Sequence, residues 1–377
     1  MDRVRRSIFS GDAGSFSRHE AVVRKHREKI ATMRAEICHW KSECGRLAAQ
    51  VHDLRAQRRG KEIPSKAIFH HLFHSRVATF RAFAPSPLAA AREAVLRQRS
   101  ASYRRAIAAG PGDLAKSAER VCIAGLEWWV PRARRPLDFS EGRWLPSHAM
   151  LQSRAVAVGG VMIDIGANLG RTSLPRVIIG DVTAVYAAEP DLINYACLVQ
   201  TIVANKLQGL ILPDQVVIGS REATARLERS PYVGGHRVLG ENEQASPSRE
   251  VIEVTCTTLD RWTRALDIND AEICFVKVDT QGWELQVMLG AERLRQQPHI
   301  AWQIEMDPHL LERAGTSISE LCTLLEQTST HFIDLAKGAA GIRGARVGRL
   351  REHLAYLGTD AAKTDVILYS SRGDADS

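Results

Sequence analysis

From Val23 onward, apolar residues recur as Val23, Ile30, Met33, Ile37, Trp40, Cys44, Leu47, Val51 and Leu54, a 3-4-3-4 spacing broken at His26 and separated by Arg, Lys, Glu and Gln. Such a seam, about four and a half heptads long, predicts an amphipathic helix, either docked on the body of the protein or paired through residues 23–54 in a self-associating coiled coil. Arg58-Arg59-Gly60 closes it, so residues 1–60 read as one basic helical segment. The pattern then loosens. Ala67 to Phe69 and Val77 to Phe83 are apolar, Pro85-Ser86-Pro87 breaks the run, and the Ala/Arg-rich stretch Leu88 to Ala109 ends at Gly110-Pro111-Gly112. Two or three helices are predicted, with a stop at the glycines. Short apolar runs follow, Val121 to Val130 and Trp144-Leu145-Pro146, so residues 61–150 read as a helical linker and lead-in to a further domain.

From residue 161 the period changes again. Val161 to Ile165, Ala184 to Glu189, Gln215 to Gly219, Ile273 to Asp279, Ile300 to Glu305 and Val366 to Ser370 are short β-branched or apolar runs, with helical stretches such as Leu192 to Asn205 between several of them. This alternation predicts, for residues 151–377, a doubly wound α/β domain with a mostly parallel sheet and helices on both faces. Ligands of such sheets bind outside the carboxyl ends of the strands.

Charge separates the two parts. Residues 1–150 hold 29 Lys+Arg against 14 Asp+Glu, a net +15, and the remainder 22 against 29, a net −7. Contact with a polyanion would fall to the first part. Arg92, Arg97, Arg99, Arg104 and Arg105 fit a solvated helix face better than a nucleic-acid surface, and with no RNA-binding aromatic pattern a nucleic-acid partner is not expected. The seven cysteines are scattered and never spaced CxxC, which favours neither a disulfide framework nor a zinc site. Met1 to Arg6 lead into no apolar signal region, and no run of about 18 apolar residues suggests a membrane span, so a cytoplasmic setting is expected.

The strongest local signal is Val161-Met162-Ile163-Asp164-Ile165-Gly166-Ala167-Asn168-Leu169-Gly170, an apolar strand with an acid near its end followed by a glycine-spaced turn. Gly166 and Gly170 let backbone approach a ligand where a Cβ would clash. The spacing is not GxGxxG, and Asp164 would repel a diphosphate, whereas a zwitterionic amino-acid ligand would tolerate it. Nineteen residues beyond Gly170 the next strand ends in Ala187-Ala188-Glu189-Pro190, and an acid there can accept both hydroxyls of a ribose. Asp191, by contrast, reads as a helix cap.

Ile163 to Gly170, then Ala188-Glu189-Pro190, then Thr258-Leu259-Asp260, then Phe275-Val276-Lys277-Val278-Asp279-Thr280-Gln281-Gly282-Trp283-Glu284, resemble in order and spacing the FkbM family of methyltransferases, over roughly residues 155 to 335. The resemblance implies a class I methyltransferase (Rossmann-like) fold and S-adenosyl-L-methionine as methyl donor, held by Asp164, Gly166, Asn168, Gly170 and Glu189. It also implies O-methylation of a small-molecule or glycan hydroxyl. The sulfonium methyl is already activated, so the protein needs mainly to align the acceptor oxygen and remove its proton. Asp279 is the first choice for the base or orienting group and Glu305 the second, with Lys277 and Glu284 intact beside them; Lys277 reads equally as an ion-pair partner of one of those acids. His236, in Gly234-Gly235-His236, either contributes from a substrate lid or faces solvent. Trp283 and Trp302 either wall the pocket or fill core, core being favoured for Trp302. Gln281 stands where the family often has an acid. No ligand spacing calls for a metal, although Asp279, Glu284 and Glu305 could gather a hard cation. The competing reading, a non-catalytic interaction protein with a methyltransferase-like module, is weakened because Gly166, Gly170 and Glu189 are all present.

Overall fold

The computed structural model describes residues 73–74, 76–77, 86–132, 158–336, 345–358 and 363–370. The heptad seam of residues 23–54 lies outside the described residues. Ser86 accepts the Ala89 N–H and Pro87 occupies the first turn, which starts helix α1 (Pro87–Arg99). Ser100 ends α1 and caps α2 (Ala101–Ser117) through the Tyr103 N–H. The expected stop at Gly110-Pro111-Gly112 is instead a kink. Gly110 turns left-handed, and Pro111 begins a resumed turn that needs no donor from it. Strands β1 (Ala118–Ile123) and β2 (Leu126–Pro131) then form an antiparallel hairpin, closed by Ala124 and Gly125, both at positive φ.

The α/β body follows in chain order: β3 (Val161–Ile165), α3 (Ser173–Ile178), β4 (Ala184–Ala188), α4 (Leu192–Ala204), β5 (Ile211–Asp214), β6 (Val217–Gly219), β7 (Ala223–Glu228), β8 (Arg237–Val238), β9 (Val251–Thr258), α5 (Leu259–Ala265), β10 (Ile273–Val278), α6 (Glu284–Leu289), α7 (Glu292–Arg295), β11 (Ala301–Met306), α8 (Pro308–Arg313), α9 (Ile318–Glu326), β12 (His331–Asp334), β13 (Ala345–Arg346), α10 (Leu350–His353) and β14 (Thr364–Tyr369). Eight strands form one sheet in the order β13-β12-β14-β11-β10-β3-β4-β5. Strands β5, β4, β3, β10 and β11 run parallel, and β14 lies antiparallel between β11 and β12. The sheet is therefore mixed rather than simply parallel. The run Gln215 to Gly219 does not supply the neighbour of β4. That neighbour is β5, and Val217–Gly219 opens a separate four-stranded sheet, β6-β9-β7-β8.

Successive side chains of the large sheet alternate between two apolar layers. Ile163, Tyr186, Val276 and Trp302 meet helices α5, α6 and α9, while Met162, Val185 and Phe275 meet α3 and the hairpin. Trp302 is core, as favoured. The stretch read as a linker is, over its described part, built into this body. The Trp129 N–H donates to Thr201 Oγ1 at 2.9 Å, Glu127 and Asn205 exchange hydrogen bonds at 3.1 and 2.6 Å, and Ser100 donates to Asp214 at 2.7 Å. Arg92 and Arg99 of α1 are tied to the same body, donating to Thr183 O and Ala265 O, while Arg97 pairs with Glu93 and Arg104 donates to Arg97 O and Gln98 O within the two helices. Among the described residues no helix is long and apolar enough to cross a membrane.

Candidate functional site

A cavity of about 520 Å³ opens at the carboxyl ends of β3, β4, β10 and β11, where β14 begins. Leu227 and Val238 of the small sheet and the Tyr232 to His236 segment close it on the other side. Within residues 220–250, which carry no readable code in the sequence, the strands are β7 and β8, and turns and loops make up the rest.

One end of the cavity is built on the β3 turn. Gly166 sits at φ 76°, and a Cβ there would lie 1.9 Å from the Asp279 carbonyl oxygen, so glycine is required for the β3 and β10 loops to cross. The Gly166 and Ala167 N–H groups both donate to Ala188 O, which sets the turn over the end of β4. Asn168, also left-handed at φ 53°, donates its N–H to Glu189 Oε2 at 2.8 Å and its side-chain amide to Val233 O at 2.8 Å. Glu189 is only 4 % exposed and accepts the Asp191 N–H on its other oxygen. Burial, with Asp191 adding to it, pushes its carboxyl up to about 8. Asp191 caps α4 through the Ile193 and Asn194 N–H groups. Asn194 borders the cavity fully buried, and its side-chain amide donates to Val233 O at 3.0 Å, holding the Tyr232 to His236 segment over this end.

Gly166, Asn168 and Glu189 thus come together on the cavity wall, whereas Asp164 and Gly170 do not. Asp164 points to the opposite side of its strand from Ile165, fully buried, where it accepts from Ser173 Oγ at 2.5 Å and lies 3.8 Å from Lys277 Nζ. It supports the wall from behind. At Gly170 a Cβ would meet Leu174 Cδ1 and Leu198 Cδ1 at 2.6 and 2.7 Å, so this glycine answers to packing of α3 against α4 rather than to close approach of a ligand.

The other end carries the charge network. Lys277 Nζ donates to Asp279 Oδ2 at 3.0 Å, Gln281 Nε2 donates to Asp279 Oδ1 at 3.0 Å and to Glu305 Oε2 at 2.8 Å, and Lys363 Nζ donates to Glu305 Oε1 at 2.6 Å. Both readings of Lys277 meet here, since it lines the cavity and is the ion-pair partner of Asp279. The ammonium of Lys277 holds the Asp279 carboxyl below its usual range against the opposing effect of burial. Glu305 is raised, chiefly by burial and next by the negative Asp279. Gln303 and Asp365, joined at 2.5 Å, complete this wall.

Two candidates are corrected. Glu284 does not reach the cavity: its carboxylate accepts the Thr280 N–H and hydroxyl at 2.8 and 2.9 Å and the Gly282 N–H at 3.0 Å, which folds the Thr280 to Trp283 loop. His236 lines the cavity and is not solvent-facing, but its Nδ1 accepts the Ser230 N–H at 2.8 Å and its Nε2 faces Asp191 at 3.9 Å. The lone pair a base would need is occupied, so the imidazole braces the segment over the Glu189 end. Asp260 of the Thr258-Leu259-Asp260 motif is likewise structural, accepting the Arg293 and Leu294 N–H groups at α7. Gln303, Lys363, Asp365 and Asn194 escape the sequence reading. The first three reach the site through pairing of β14 against β11, which no local pattern encodes.

Residues 164–332 match the family model described as Methyltransferase FkbM domain. No curated protein matches the chain. Among solved structures it is similar to a methyltransferase FkbM from Methylobacillus flagellatus KT, at 16 % identity over 56 % of this chain and 44 % of that one, TM-score 0.35. It thus spans under half the length of that relative. It is also similar to M. capricolum TrmK in complex with S-adenosyl-homocysteine (11 %, 60 % and 72 %, TM-score 0.32) and to M. jannaschii TYW2 in complex with AdoMet (12 %, 67 % and 85 %, TM-score 0.31).

Proposed function

We propose, from the premise that residues 164–332 carry an FkbM methyltransferase domain, that this chain transfers a methyl group from S-adenosylmethionine to a hydroxyl oxygen of a sugar, glycan or secondary metabolite. The observation that carries the reading is a single cavity that has Glu189 at one end and the Asp279–Gln281–Glu305 network at the other.

The first end fits a nucleoside-containing amino acid. Glu189 would accept the two ribose hydroxyls, and Val216, Val217 and Ile218 would give an apolar wall for a base. When bound, this donor supplies a methyl group already activated by positive sulfur. The chain's own task is then to orient the acceptor hydroxyl, exclude water and receive a proton. Asp279 is locked to Lys277, which is 9 % exposed. Glu305 is held by Lys363, whose side chain is 55 % exposed and free to move aside. Glu305, raised and facing a displaceable partner, is therefore the better proton acceptor, with Asp279 orienting. The seam of residues 23–54 belongs to the same proposal as a self-association element.

Titration calorimetry with S-adenosylhomocysteine tests the donor end. Wild type binds, and Glu189→Ala binds about 10- to 100-fold more weakly, as expected for losing hydrogen bonds to a carboxylate. Failure of wild type to bind either S-adenosylmethionine or S-adenosylhomocysteine would sink the reading.

A further inference from the structure

Gln281 stands where the resembled pattern often has an acid, and its placement gives the change a purpose. Its backbone is left-handed at φ 57°, which turns the side chain across the gap between two carboxylates. An amide nitrogen has two hydrogens. Both are used, one on Asp279 Oδ1 and one on Glu305 Oε2. Each of those oxygens spends one lone pair on the amide, which lowers its basicity. Asp279 Oδ2 is held by the buried Lys277, which also lies 3.8 Å from Asp164. Glu305 Oε1 accepts from Lys363, whose side chain is half-exposed, so of these four oxygens it is the one whose donor can withdraw into solvent.

We propose that Gln281 is a positioning residue that bridges Asp279 and Glu305 and thereby leaves Glu305 Oε1 as the one oxygen that receives the acceptor's proton. The proposal rests on the methyl-transfer reading. In the step, the acceptor O–H bond breaks and its proton goes to Glu305 Oε1. The oxygen's electron pair forms the new bond to carbon, the electrons of the broken carbon–sulfur bond stay on sulfur, and Lys363 swings toward solvent. A glutamate at position 281 would put a third carboxylate within reach of two others, and one proton would then be shared among them. The neutral amide instead donates to both, favouring the charged form of each. The other charged groups facing this pair are Lys277, Asp164, Glu284, Lys363, Asp365 and Asp307.

The test is a carboxyl-carbon NMR titration of the full chain labelled in its Glu and Asp side chains, with Asp279→Asn and Glu305→Gln used for assignment. Gln281→Gly relieves the left-handed backbone, so folding is retained while the bridge is lost. The titration midpoints of both Asp279 and Glu305 rise by about one pH unit or more. Gln281→Glu raises Glu305 further. Midpoints unchanged in both variants overturn the proposal. S-adenosylhomocysteine binding is measured on the same samples. Absence of binding in wild type removes the methyl-transfer reading, and the proton step with it, while the bridge is still decided by the midpoints.

Discussion

Glu189 shows what a single buried carboxylate implies for ligand binding. The Glu189 carboxyl is pushed up to about 8 by burial and by Asp191, yet accepting two ribose hydroxyls requires the carboxylate form. Binding must therefore release a proton below that value, and the affinity for S-adenosylhomocysteine rises with pH until about 8 and then levels off. Calorimetry across pH, repeated in buffers of different ionisation enthalpy, reads both the slope and the proton. In Glu189→Gln the profile is flat; a pH-dependent affinity in that variant would assign the proton elsewhere. The same residue was legible in the sequence because it ends a strand at a readable interval from the glycine turn. Asp164 and Glu284 were misleading for the opposite reason: an acid that braces a loop and an acid that meets a ligand have the same letter. Only burial and partners separate them, Ser173 and Lys277 for one, Thr280 and Gly282 for the other.

At the level of elements, the hairpin β1–β2 and helix α4 behave as one piece. Asn205, just past the end of α4, donates to Glu127 O at 2.6 Å and to Thr201 O at 2.8 Å and accepts the Glu127 N–H at 3.1 Å, while Trp128 is fully buried beside them. Asn205→Ala leaves the backbone groups of Glu127 without these partners and costs about 2–3 kcal/mol, on the scale of one buried polar group left unpaired. Urea unfolding gives the loss, and hydrogen exchange localises it to Leu126–Pro131. Exchange there as slow as in wild type would show that packing of Trp128 holds the hairpin without Asn205. The alternation of strand and helix signals from residue 161 on forecast this architecture because buried strands and amphipathic helices have different periods. The hairpin was hidden because two adjacent tryptophans and a proline imitate a boundary. The reversal of β14, which delivers Lys363 and Asp365 to the site, was hidden because strand direction is settled by pairing with β11 and β12 rather than by any local residue.

Across the whole molecule, the described body starts within the basic half of the chain, and it spends several of that half's arginines on its own carbonyls and carboxylates. The positive charge available to a partner is correspondingly smaller than the net +15 of residues 1–150 suggests. Every residue that lines the cavity lies between Ile165 and Asp365, well beyond the seam in sequence. Assembly and donor binding should therefore come apart experimentally. If the 3-4-3-4 seam drives self-association, a variant lacking residues 1–60 has a smaller assembly by light scattering and binds S-adenosylhomocysteine as the full chain does. An oligomer number that survives the deletion would place self-association in residues 61–377 and leave the seam as a helix docked on its own chain. A loss of donor binding together with the change in size would instead make assembly a condition for a competent cavity.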